Sequence, residues 1–325
     1  MKTIHSITFT ILVLLPIIAK TQTPLLDPEH FILDTWDNFN SFDYNLWGSK
    51  LPNNTWGLET YDSSKVSAVG GMLTLSCDRV AQPFSANRYT YISGGIETVG
   101  TKAFPFGYFE VESQLPQSGV QGPWGGFWMH TGDGGWDEID VLEPDGCDCK
   151  LGTRYNIGAS ATHSGIHSST AIELGGFEDL SIGFNKYSVL WTPKYIAFFF
   201  NDSTVHEVVN PLYIPTHPMY VFLTFQVDPG GCSPLSNFPT MYWKFKKFKY
   251  YRLKTDCDNP LIAENFDFIN HDYKVQKYIK LKNSIIPQSS NIVLRAKDFI
   301  ELSRNINVPL GSTLTLITHN SICPR

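Results

Sequence analysis

Between about residues 30 and 255 the sequence predicts an all-β fold, a sandwich of two sheets, and three observations carry that reading. Short segments alternate apolar and polar residues, turn formers interrupt them at close spacing, and no segment has a convincing amphipathic helical period. Gly70-Gly71 turns the chain into Met72-Leu73-Thr74-Leu75-Ser76. Gly107-Tyr108-Phe109-Glu110-Val111-Glu112-Ser113 alternates apolar with polar residues. Tyr187 to Trp191 and Ile196 to Phe200 read as strands, and Asn201-Asp202 then supplies a turn before Thr204-Val205-His206. Tyr220 to Val227 and Tyr242 to Leu253 complete the series.

Asp258-Asn259-Pro260 reads as a linker, and residues 258–325 as a small all-β accessory module. Its strands are expected at Tyr278 to Leu281, Asn291 to Ala296, Phe299 to Leu302 and Thr313 to Ile317. At the other end, Lys2, the apolar run Ile7 to Ile18 and the small Ala19 have the form of a secretory signal over residues 1–19. That run is too short for a good membrane span, and no other segment is long and apolar enough for one. Secretion is therefore the expected route, to the medium, periplasm or cell surface.

Glu138-Ile139-Asp140-Val141-Leu142-Glu143 packs three carboxylates between branched aliphatic residues. The aliphatics argue for a strand with one face in the core, which puts Glu138 and Asp140 on the same face. Glu143 falls on the opposite face of a regular strand. One extra residue, a β-bulge near Val141 or Leu142, turns it back toward the other two, and Pro144 then ends the strand. Three acids crowded on one face repel one another. That repulsion is useful where one carboxyl donates a proton and another, with a separated pKa, acts as nucleophile. A solvated strand face with ion-pair partners is the plainer alternative. Asp137 adds a further charge, expected on the other face.

At 325 residues the chain has room for one large and one small domain. Hydrophobic residues at 42% and charged residues at 17% describe a folded protein rather than a disordered one. A net charge of −6 gives nucleic-acid binding no support. The 8 Trp, 15 Tyr and 22 Phe suit a β core and equally an aromatic-lined carbohydrate cleft. Six cysteines (Cys77, Cys147, Cys149, Cys232, Cys257, Cys323) form an even set for an oxidising compartment. Cys147 and Cys149 are too close in sequence to pair without strain and are expected to pair elsewhere. Cys257 and Cys323 bracket the accessory module.

The acidic strand and its surroundings resemble glycoside hydrolase family sixteen, the laminarinase, agarase and carrageenase group. The family pattern Glu-x-Asp-x-x-Glu is met by Glu138, Asp140 and Glu143. Gly122-Pro123-Trp124-Gly125-Gly126-Phe127-Trp128-Met129 is similar to its Trp-Pro-Ala-Phe-Trp segment. Ser93 to Thr98 and Phe106 to Val111 resemble its strand pair, and Phe184 to Pro193 its His-x-Tyr-x-x-x-Trp-Thr segment. A six-residue acidic pattern arises by chance, but four matches in order do not. The likeness covers roughly residues 30–255. The accessory module loosely resembles the stacked-β modules found after catalytic domains in secreted bacterial proteins.

The resemblance implies a jelly-roll sandwich with a concave cleft, and retaining hydrolysis of internal β-glycosidic bonds in a polysaccharide. Glu138 would be the nucleophile and Glu143 the acid/base, with carboxyls about 5 Å apart as retention requires. Asp140 would hydrogen-bond Glu138. The bulged spacing points to the β-1,3-glucanases and marine galactan hydrolases rather than to lichenases. Trp124 and Trp136 are candidate sugar platforms, Trp128 fits either the cleft or the core, and His163 sits where the family often has a cleft histidine. Arg88, Lys150 and Arg154 could meet sulfate esters on a galactan, although scattered basic residues are usually just solvated.

No cofactor or catalytic metal is implied, and the protein is expected to be monomeric. Where the family often carries a calcium-binding Asp this chain has Lys246, so that site is not carried over. Gly125-Gly126 in place of Pro-Ala is expected to open space beside the site. The competing functions are a transglycosylase using the same acids and a non-catalytic polysaccharide-binding protein.

Overall fold

The computed structural model describes residues 31–49, 57–84, 89–132, 137–144, 154–162, 164–174, 179–228, 238–253, 260–266, 268, 272–275 and 277–319. The expected signal segment, Arg88, Trp136, Lys150, His163 and every cysteine except Cys77 lie outside these residues. Within them the fold is a jelly-roll β-sandwich of a ten-stranded and a seven-stranded sheet, with two three-stranded sheets following.

In the seven-stranded sheet the strands run Ile166–Glu173, Arg154–Ala161, Glu138–Glu143, Pro123–His130, Tyr220–Val227, Gly95–Glu97 and Gly48–Ser49. The acidic strand is thus third of seven, with a neighbour on each side. The ten-stranded sheet includes Met72–Phe84, Gly107–Gln114, Asn185–Trp191, Ile196–Phe200, Ser203–Val208 and Met241–Leu253. Its hairpins turn where local chemistry allows left-handed backbone. Asn201 (φ 45) and Asp202 (φ 68) make one turn, and Gly70 (φ 60) with Gly71 (φ 85) another.

Leu73, Leu75, Phe109 and Val111 from the large sheet meet Phe127, Met129, Ile139, Val141 and Leu142 from the smaller one in a single core. Fully buried tryptophans satisfy their indole N–H groups there. Trp47 donates to Asp37 (2.8 Å), Trp191 to the Pro215 carbonyl (3.0 Å) and Trp243 to Ser113 (2.8 Å). Cys77 corrects the expectation raised by an even cysteine count. It is a free, fully buried thiol on a core strand, and burial pushes its pKa well up, so it packs as a small apolar residue. The Lys246 ammonium lies 4.0 Å from the centre of the Phe184 ring.

Residues 261–318 follow a different principle. Leu261–Glu264, Tyr278–Lys282 and Phe299–Ser303 pair in parallel, as do Asp272–Val275, Asn291–Ala296 and Thr313–Thr318. Leu261 faces Ile279, Ile279 faces Ile300 and Asn291 faces Thr313, so rungs recur every 18 to 22 residues. Ile279, Leu281, Ile292, Leu294 and Ala296 fill a separate core between the two sheets. Asn265, Asn283, Arg304 and Asn305 turn successive rungs with positive φ, and Asn305 donates to Asn283 (3.1 Å) along the stack.

Asp137 ties the start of the acidic strand to two loops. Fully buried, it accepts from the backbone N–H groups of Thr162 (2.6 Å), Thr216 (3.1 Å) and His217 (3.0 Å) and contacts the His217 ring (2.8 Å). Burial works against its ionisation, but these hydrogen bonds outweigh it and hold the carboxyl below its ordinary pKa. A depressed carboxyl pKa adds stability above the unfolded value, which is lost as pH falls through the folded one. Asp137→Asn turns an amide donor toward N–H donors. It should cost roughly 2–3 kcal/mol at neutral pH, with the deficit shrinking below about pH 4, as read by urea denaturation across pH.

Candidate active site

The acidic strand carries the expected irregularity. Against its neighbour on one side, Asp140 faces Gly158 and Glu143 faces Asn156, so three steps on the acidic strand match two on its partner. On the other side, Asp140 faces Trp128 and Leu142 faces Phe127, again one residue extra. Val141 and Leu142 therefore both go into the core with Ile139, while Glu138, Asp140 and Glu143 line the opposite face.

The bulge depends on a glycine. Gly126 has φ 135, and a Cβ there would lie 2.1 Å from the Leu142 carbonyl oxygen. Its lack of a side chain lets the bulged strand approach, rather than opening space beside the cleft as expected. Gly125 does line the cleft.

Cross-strand register sets out the floor of a cleft of about 770 Å³. Tyr220, His130, Glu138, Ser160 and His167 are successive partners across the sheet, so they form one row on one face. The next row runs Glu97, Phe222, Trp128, Asp140 and Gly158. Beyond it, Gln226 pairs with Trp124, beside Glu143. A Cβ at Gly158 would lie 2.5 Å from an Asp140 oxygen, so glycine there leaves room for the central carboxyl.

The acids differ in environment. Asp140 is 8% exposed, and burial, reinforced by the charges of Glu138 and Glu143, lifts its pKa well above the ordinary value. Burial and the Glu143 charge push Glu138 up to about 7. The hydrogen bond expected between Asp140 and Glu138 is not made. The three interact through space, so they titrate as a set. Glu143 instead accepts a 2.6 Å hydrogen bond from the Trp124 indole N–H.

Trp124 is thus a partner of an acid as well as a cleft wall. Trp128 also lines the cleft, stacked on Phe222 (4.3 Å, 17°) and donating to the Thr224 hydroxyl (2.9 Å). Glu97, His130, His167, Phe222 and Gln226 join the cleft unannounced by the sequence. Phe222 and Gln226 lie on a strand legible by its pattern, Glu97 and His130 lie in or next to segments that resemble the family's, and His167 lies on Ile166–Glu173, a strand not anticipated. Which strand neighbours the acidic one was not legible.

A model of glycosyl hydrolases family 16 matches residues 53–242, more than half of the sequence and all three acids. The chain belongs to that family. Among family 16 relatives, it is similar to an endo-1,3-1,4-β-glycanase of Rhizobium meliloti, with 32% identity over 53% of this chain and 36% of that protein. It is 27% identical to a keratan-sulfate endo-1,4-β-galactosidase of Sphingobacterium multivorum, over 57% of this chain and 46% of the other. The match thus spans about a third to a half of these relatives' lengths. Among solved structures, the catalytic domain of a Thermotoga petrophila laminarinase superposes with a TM-score of 0.61, at 20% identity, over 70% of this chain and 100% of that one. That likeness speaks to the fold.

A carboxyl whose folded pKa is raised contributes most stability below its unfolded value and loses it as pH rises toward the folded one. For Glu138 that window runs from 4.5 up to about 7. Glu138→Gln removes the charge, and above neutral pH it should therefore be more stable than the wild type by roughly 1–3 kcal/mol, toward the lower figure because the cleft is open to water. Melting temperatures at pH 5 and pH 8 check this, and an equal change at both would contradict it.

Proposed function

We propose that this protein is a retaining endo-glycosidase that cuts internal β-linkages of a neutral polysaccharide, a β-1,3- or mixed β-1,3-1,4-glucan. Family membership and the bulge that gathers Glu138, Asp140 and Glu143 in one cleft support the reaction class. Glu138 attacks the anomeric carbon while Glu143 protonates the departing oxygen, and Glu143 then deprotonates the water that releases the sugar. Trp124 holds Glu143 in place through its indole N–H. Asp140 lies between them, its carboxyl pushed toward the neutral form by burial and by the charges of Glu138 and Glu143.

Substrate choice rests on the cleft's charge. Among the described residues its lining includes Glu97, Glu138, Asp140 and Glu143 and no lysine or arginine. A sulfated galactan would meet repulsion from these carboxylates. Arg154, once a candidate for sulfate, pairs instead with Glu173 (3.5 Å). Trp128, backed by the buried Phe222 ring, offers a flat face of the kind that packs on a pyranose. A relative of Rhodothermus marinus named a β-glucanase, 24% identical, supports the same substrate.

Reducing-sugar release should appear on β-1,3- or mixed-linkage glucan and be lower by on the order of 10-fold or more on sulfated galactans. NMR should show the β-anomer first. Glu138→Gln should lower turnover on the order of 10⁴-fold while still binding polymer. Binding without cleavage across the whole panel would refute the reading.

We further infer export directed by residues 1–19, from Lys2, the apolar run Ile7 to Ile18 and Ala19. Deleting that segment should keep the protein inside the cell. Unchanged release into the medium would reject the assignment.

A further inference from the structure

Beside the cleft, at its Gln226 end, lies a buried carboxyl that the proposed chemistry does not use. Glu59 is fully buried, and its Oε2 accepts from the Val227 backbone N–H (2.7 Å). It opens Glu59–Tyr61, a short strand at the edge of the ten-stranded sheet. The Leu58 N–H bonds the Val227 carbonyl (2.9 Å), which laces this segment to the end of Tyr220–Val227. Two residues after Glu59, and on the same face of the strand, Tyr61 is buried as well.

Glycines make room for both side chains. A Cβ at Gly57 would lie 2.1 Å from Glu59 Oε2. Gly95 pairs with Thr224 across the smaller sheet, and a Cβ there would lie 2.9 Å from the Tyr61 ring and 3.3 Å from the Thr224 methyl. Thr224 and Gln226 share a face of their strand, and Gly125 lies close to both. A Cβ at Gly125 would lie 2.8 Å from Gln226 Cγ and 3.0 Å from Thr224 Oγ1. The Tyr61 hydroxyl thus sits among Glu59, Thr224 and Gln226. Burial and the Glu59 charge raise its pKa well above the ordinary tyrosine value, while Thr224 and Gln226 act on it in the opposite sense, as donors do.

We propose that Glu59 and Tyr61 are positioning residues that fix which way the Gln226 amide faces, so that its carbonyl oxygen is the atom offered to a sugar hydroxyl. This deepens the function proposed above and rests on it.

The inventory of donors and acceptors supplies the reason. A carboxylate only accepts. Tyr61 has one proton, which goes to Glu59, so its lone pairs are left for the Thr224 hydroxyl and the Gln226 amide nitrogen. Thr224, its own proton committed to Tyr61, accepts from the Trp128 indole N–H at 2.9 Å. The chain then runs in one direction, from Trp128 on the cleft wall to Glu59 beneath. Gln226 lines the cleft, and with its nitrogen held inward only its oxygen remains for a ligand. A buried network whose members are all satisfied is rigid, so the orientation is set before substrate arrives.

The test uses the full chain. Glu59→Gln keeps the shape but introduces a donor, which removes the fixed direction of the chain. Tyr61→Phe keeps the ring over Gly95 and deletes the hydroxyl. Either change should raise KM on β-1,3- or mixed-linkage glucan about three- to tenfold, the scale of one hydrogen bond. In both, kcat should stay within about twofold and its pH profile should keep its shape, because the acids are untouched. In a Gln226→Ala background, Glu59→Gln should alter KM by less than about twofold, since the group it orients is gone.

Unchanged KM in both single variants would overturn the assignment. A fall in kcat at constant KM would overturn it too, because the pair would then act on the acids. An equal rise in KM with and without Gln226 would make Glu59 a support of the fold alone and reject the orienting role. Should Glu59→Gln fail to fold, Tyr61→Phe with and without Gln226→Ala carries the same comparison. If the wild-type protein cuts glucan and the variants match it, only this assignment fails. If the wild type cuts no glucan, the functional reading fails and takes this one with it.

Discussion

One extra residue in a six-residue strand governs the chemistry of this molecule. With a strict two-residue period, Glu143 would point into the sandwich core and Leu142 into the cleft. The bulge exchanges them, so that Val141 and Leu142 are both buried and the third acid joins the first two. The arrangement holds because burying two consecutive aliphatics offsets the lost ladder pairing. It holds also because Gly126, without a Cβ, lets the displaced Leu142 carbonyl come close. The gathering of the three acids is in this sense a packing result, fixed from beneath by buried apolar residues and a glycine.

Adjacent acids on this strand show how environment separates one carboxyl from the next. Asp137 is the more completely buried, yet hydrogen bonds from Thr162, Thr216 and His217 keep its pKa low and make it an anchor. Glu138, one residue on, faces a cleft shared with Glu143, and its pKa rises to about 7. Burial acts in the same direction on both. The difference is the supply of donors on one face and of like charges on the other. Charge crowding of this kind is a stability cost located at the functional face, and the well-bonded Asp137 offsets part of it on the structural one.

The sandwich and the C-terminal ladders solve the burial problem in different ways. The sandwich closes one large core between two mostly antiparallel sheets, with strands distant in sequence side by side. The ladders stack short parallel strands, each rung lying over one some twenty residues earlier, with Ile279, Leu281, Ile292 and Leu294 forming a narrow column. Four strands of this region were legible as alternating segments. Their parallel pairing was not, because alternation reports which face is apolar and says nothing of strand direction.

Local pattern alone determined the all-β class, most strand positions, the two tight hairpins and the bulge. Each of these follows from residue period or from the few side chains that tolerate a positive φ. The three acids could be named for the same reason, since their spacing against the aliphatics admits one economical solution. Which residues surround them was decided by tertiary structure. Glu97, His130, His167 and Gln226 enter the cleft because their strands lie alongside the acidic one or beyond its neighbours, at registers that no local signal encodes. The same holds for the Trp124 hydrogen bond to Glu143, for Cys77 as an unpaired core thiol and for the unmade bond between Asp140 and Glu138. Period belongs to one strand, but register and proximity belong to pairs of strands far apart in the chain, and only folding brings them together.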